Sequence, residues 1–80
     1  MIRKIFVAPA HIGWSVRSDG FANDMLFLSG AKAEFAARRL AEKIAGHGEA
    51  AQVEVRLRDG SLAGRFVCSP ASVLAREAAL

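Results

Sequence analysis

The chain has 80 residues, 52% of them apolar, with a formal net charge of +3 and one cysteine. That length argues for one domain with a small core and little stability margin, and the apolar content excludes a disordered chain. A single thiol excludes a disulfide scaffold. The apolar run after Met1 is broken too early by Pro9, His11, Gly13 and Trp14 for a signal peptide, and no run approaches the ~20 residues of a membrane span, so a cytoplasmic protein is expected.

Ile2–Pro9 reads as the first strand, rich in Ile, Phe and Val. Ile5 and Val7 fall on one face, Phe6 and Ala8 on the other, and a strand apolar on both faces is expected to be central in a sheet or covered on both sides. A loop over 10–13 leads to a second strand over 14–17, with Trp14 and Val16 facing the core and Ser15 and Arg17 facing away. Ser18, Asp19 and Gly20 signal a turn. The apolar run 25–28 reads as a short third strand.

Ser29 is a suitable N-cap for a helix over 31–45, which is rich in Ala, Glu, Lys and Arg. Ala33, Ala36, Ala37, Leu40, Ala41 and Ile44 form one apolar stripe, and Glu34–Arg38 and Arg38–Glu42 are opposite charges one turn apart. Gly46 is expected to provide a left-handed cap. Residues 52–58 alternate, with Val53, Val55 and Leu57 on one face and Gln52, Glu54, Arg56 and Arg58 on the other. Asp59-Gly60 is a tight-hairpin signal, returning through Leu62–Cys68. Ser69 and Pro70 then suit a helix start, but a last helix over 71–80 is too short to persist unless it docks.

The expected fold class is α+β, in the order βββαββ. A mostly antiparallel sheet is covered on one face by the long helix, residues 1–69 form the domain, and 70–80 form a helical tail.

The strand ending Val7-Ala8-Pro9, the Gly13-Trp14-Ser15-Val16 motif, the helix through Ala33-Glu34 and Arg38-Arg39-Leu40-Ala41, and Asp59-Gly60 together resemble a bacterial family of small domains of unknown function. The resemblance covers about residues 5–66. It departs in the more apolar run 25–28 and in the tail after Ser69. It implies the fold just described and no activity, and it carries no functional residue across.

No catalytic constellation emerges. Cys68 alternates in register with Phe66 and reads as a small buried hydrophobe rather than a nucleophile. His11 and His47 lie far apart with no Cys or carboxylate at ligand spacing, and His47 suits a helix-dipole contact. Asp19, Asp24 and Asp59 fall in turns, where Asp bonds its own backbone. Gly46-His47-Gly48 follows a helix instead of opening one, so it is not a phosphate cradle. The expectation is a non-enzyme without metal or cofactor.

Two surface features stand out. Arg3, Lys4, Arg17, Arg56, Arg58 and Arg65 fall in the expected strands against Glu54 alone, a strand charge of +5 on a chain of net +3. A sheet face carrying Arg17, Arg56 and Arg58 would suit a nucleic-acid backbone, although an ordinary solvated basic face is the simpler reading. The second feature is Phe35, about 160° from the centre of the helix's apolar stripe at 100° per residue and set among Arg38, Arg39 and Glu42. With Met25 and Phe27 on an outer strand, and Val73 and Leu74 on a tail that needs a surface, it marks an interface for a homodimer or a protein partner. The alternative is a tail that folds back over Phe35. The expected function is a self-associating interaction module, with nucleic-acid binding as the runner-up.

Overall fold

A computed structural model describes residues 2–19 and 24–70. The expected tail helix, with Val73 and Leu74, lies outside the described residues, as does Gly20. The elements are β1 (Ile2–Pro9), β2 (Trp14–Ser18), β3 (Met25–Phe27), α1 (Gly30–Gly46), β4 (Ala50–Arg56) and β5 (Leu62–Cys68), and the strands form one sheet in the order β3-β2-β1-β4-β5. Among the described residues, no helix is long and apolar enough to cross a membrane.

The class is α+β, and β1 is central, one of the two placements its apolar faces allow. The sheet is mixed: β1–β2, β2–β3 and β4–β5 are antiparallel, but β4 runs parallel to β1. The reason is the connection. A crossover helix after β3 returns the chain to the start of the sheet and adds β4 in the direction of β1.

Helix α1 begins where Ser29 caps it, its side-chain oxygen accepting from the Lys32 amide at 3.1 Å. Its fully buried positions are Ala33, Ala37, Ala41 and Ala45, packed against Ile5, Val7, Val16, Ala51, Val53 and Cys68. The wider stripe also holds: Leu40 and Ile44 are partly buried against this core. Small side chains on the seam let the helix sit close to the β-branched residues of the sheet. The helix runs through Gly46, and the expected left-handed cap falls instead at Gly48, with φ +99°. The amides of His47, Gly48 and Glu49 bond back to the carbonyls of Ile44, Ala45 and Ile44.

Two turns differ in detail from expectation. Strand β4 starts at Ala50, opposite Ile2, and ends at Arg56, so Leu57 and Arg58 lie in the loop and not in the strand. That loop is not a two-residue hairpin. The Gly60 amide donates to Leu57 O and the Leu57 amide to Ser61 O, each at 2.9 Å, and only Gly60 has positive φ. This is the three-residue loop in which glycine takes the left-handed position. Asp59 Oδ1 accepts from the Ser61 amide and hydroxyl at 2.9 and 2.6 Å, which is the local backbone role expected of it.

The other demanding glycine is Gly13. Its φ is +76°, and a Cβ there would overlap the carbonyl oxygen of Phe27. The loop into β2 therefore packs directly on the end of β3. Gly13→Ala is expected to destabilise the fold by about 2 kcal/mol or more, read from urea unfolding midpoints. Gly46→Ala, where an added Cβ meets nothing within 4 Å, is expected to be neutral or mildly stabilising. Equal midpoints for both variants would contradict this account of Gly13.

Candidate interaction surfaces

A single helix about 10 Å wide cannot cover five strands spaced about 4.8 Å apart. Helix α1 lies mainly over β4 and β1, reaches β2, and touches the edge strands less. Two surfaces follow from this: a groove between α1 and the β3 edge, and the sheet face opposite the helix.

The groove is lined at one end by Phe27, Ala31, Lys32, Phe35, Ala36 and Arg39, enclosing about 590 Å³. It continues past Met25 and Leu40 toward His47. Phe35 is 63% exposed and stands at its rim, with the Arg39 guanidinium 5.7 Å from the ring centroid. Four of the residues singled out in the sequence, Met25, Phe27, Phe35 and Arg39, thus surround one groove. Arg38 is separated from them. It turns to the other flank of α1, where it pairs with Glu34 at 2.9 Å and lies over the Phe66 ring at 4.5 Å. Of the groove's small residues, Ala36 was read from the sequence as part of the helix's apolar stripe and Ala31 carried no signal, and neither was marked as lining a groove. They become visible only once Phe27 is placed beside them.

On the face opposite the helix, the strand register aligns Arg17, Phe6, Glu54 and Arg65 across β2, β1, β4 and β5. Lys4 and Gln52 form the neighbouring row. Glu54 is only 6% exposed. Its Oε1 accepts from Gln52 Nε2 at 3.0 Å and Arg65 Nη2 at 3.3 Å, and its Oε2 from Arg56 Nη2 at 3.4 Å. Arg56 also reaches Gly60 O at 3.1 Å. Burial pushes the Glu54 carboxyl up. The hydrogen bond and charge of Arg56, with the charges of Arg65 and Lys4, outweigh that and hold it below its ordinary value.

Arg17 is held by Asp24 in a two-point contact at 2.9 and 3.2 Å, which lowers the Asp24 carboxyl chiefly through the hydrogen bond. Asp24 therefore does more than shape a turn. Arg58 lies in the exposed hairpin loop, away from the Arg17 row. Arg3 shares the helix-side alternation of Ile5 and pairs with Glu49 at 2.9 Å. The basic face is thus Lys4, Arg17, Arg56 and Arg65, with Glu54 sunk among them and Phe6, half-buried, beside it. The signal for Phe6 was its place in β1 alternation, opposite Ile5 and Val7.

His47 Nδ1–H donates to Lys43 O at 2.9 Å, closing the last turn of α1 as a helix-end contact. His11 is exposed, in the loop before β2, and Cys68 is buried opposite Ala51. Among the described residues, no three His, Cys, Asp or Glu side chains gather as a metal site.

The Glu54 cluster has a pH signature. A carboxyl held low in the fold contributes stability above its unfolded value near 4.3, and loses it as pH falls through the folded value. Unfolding midpoints measured from pH 7 to pH 3 should fall from about pH 5 downward. Glu54→Gln should be less stable at pH 7 and lose less across the same range. Parallel curves for the two proteins would show that Glu54 contributes nothing to acid sensitivity.

The chain matches no protein-family model, no curated protein and no solved structure.

Proposed function

We propose that this chain is a non-catalytic interaction module that self-associates through the outer face of α1 and the β3 edge. The observation that carries the reading is Phe35: a large aromatic, mostly exposed, beside an apolar groove on the same helix face. A lone exposed hydrophobe needs no explanation. One that adjoins a groove lined by Phe27 and Ala36, with Met25, 41% exposed, further along it, forms a continuous patch of the kind that marks association sites. The outer edge of β3, unpaired among the described residues, adds to it.

Sedimentation equilibrium from low to high micromolar concentration tests this reading. A concentration-dependent dimer is expected, and Phe35→Ala should weaken it by about 2 kcal/mol, roughly thirtyfold, with no loss of fold stability. A chain that stays monomeric at high micromolar concentration, with and without Phe35, would overturn it.

A second reading rests on the opposite face. Phe6 lies among Lys4, Arg17 and Arg65, an aromatic beside basic side chains as in single-strand binding grooves. Against it, Glu54 and Asp24 already occupy three of the arginines. Fluorescence polarisation with a labelled single-stranded oligonucleotide at low salt decides. Binding that falls steeply with salt, and that weakens in Phe6→Leu and in Arg17→Glu/Arg65→Glu, supports this reading. No binding at low salt removes it.

A further inference from the structure

A second apolar patch lies at one end of the sheet. There Phe27, Trp14 and Pro9 form a row across β3, β2 and β1. Counting on from Val7 opposite Val55 sets Leu57 level with that row. Beyond it project Leu28, the 10–13 loop and the 58–61 loop. Leu28 and Ile12, 88% and 75% exposed, are the two most exposed large apolar side chains among the described residues, and Leu57 and Leu62 are exposed at the same end. Leu28 and the Ile12 loop abut: a Cβ on Gly13 would lie 3.5 Å from the Leu28 Cα. None of these aliphatic residues contributes to the core.

The same end is basic. Lys32 lies in the first turn of α1, which carries no acid. Arg56 closes β4, and Arg58 stands exposed in the loop that follows. Asp59 is the one acid in these loops, and its Oδ1 is taken up by the Ser61 amide and hydroxyl. Asp19, Asp24 and Glu49 lie at the opposite end, after β2 and before β3 and β4.

We propose that this end of the sheet docks on an anionic lipid surface, with Ile12 and Leu28 entering the headgroup layer and Lys32 and Arg58 lying against lipid phosphates. The register brings the three tips to one level, so one flat surface meets them together. From β3 to β4 they span three strand spacings, about 14 Å. Aliphatic side chains projecting from loop tips suit a fluid layer that closes around them, whereas a folded partner must offer a recess for each. Such contact needs no spanning segment: its strength comes from the apolar area buried at the interface plus the attraction of basic side chains to anionic headgroups.

Cosedimentation with two kinds of vesicle tests this: phosphatidylcholine alone, and phosphatidylcholine with phosphatidylglycerol in equal parts. Binding to the anionic vesicles is expected, and it should weaken as salt is raised. Ile12→Ser/Leu28→Ser should weaken it about tenfold or more, and Lys32→Gln/Arg58→Gln about tenfold. Val67→Thr, which changes an exposed aliphatic residue toward the other end of the sheet, should leave it unaltered. All of these side chains are exposed, so urea unfolding midpoints should stay close to that of the original chain.

No binding to the anionic vesicles at low salt overturns the proposal, as does binding that survives Ile12→Ser/Leu28→Ser. If the vesicles recover none of the chain while Ile12→Ser/Leu28→Ser lowers self-association in sedimentation equilibrium, this end meets a second copy and the lipid proposal falls.

Discussion

The close seating of α1 on the sheet through Ala33, Ala37, Ala41 and Ala45 is the constraint on which the molecule depends. These four small side chains place the helix backbone near Ile5, Val7, Val16 and Val53, the largest fully buried side chains. The alternative, large residues on both sides, would hold the layers further apart and need more chain to fill the gap. The core is therefore thin, and its large buried side chains, Ile5, Val7, Val16 and Val53, contribute on the order of 2 kcal/mol each.

A thin core under one helix has a geometric consequence. The helix stabilises the middle of the sheet and leaves its flanks partly uncovered. On the β5 flank the gap is closed within the chain by Arg38, which lies over Phe66 and is steadied by Glu34. On the β3 flank nothing equivalent occurs among the described residues. Phe27 and Ala36 line an open groove, and Phe35 stands beside it. The two flanks of one helix thus differ in kind. One is finished by a long amphipathic side chain covering an aromatic ring; the other carries the features of a surface that another molecule completes.

The face opposite the helix solves a different problem. It carries no helix among the described residues, so its central strand shows Phe6 and Ala8, and its flanks carry charge. Glu54 ties Gln52, Arg56 and Arg65 into one network, and Asp24 fixes Arg17. A nearly buried carboxylate is costly unless hydrogen-bonded on both oxygens, and here both are. The network makes the face less available as a polyanion site than the raw count of strand arginines suggests.

Much of this was legible in the sequence. The strands β1 and β5, the Ser29 cap, the alanine stripe and the outlying Phe35 all follow from rules of period and local hydrogen bonding that act within a few residues. The central position of β1 was one of the two placements that Phe6 opposite Ile5 and Val7 allowed. The sequence also located Met25, Phe27, Phe35 and Arg39 as one class of surface residue. What only the tertiary structure decided was direction and neighbourhood. The parallel pairing of β4 with β1, the displacement of Arg58 into a loop, the parting of Arg38 from Arg39 across the helix, and the meeting of Phe27 with Ala36 all depend on contacts between distant segments. Periodicity assigns a residue to a face; only packing decides what that face meets.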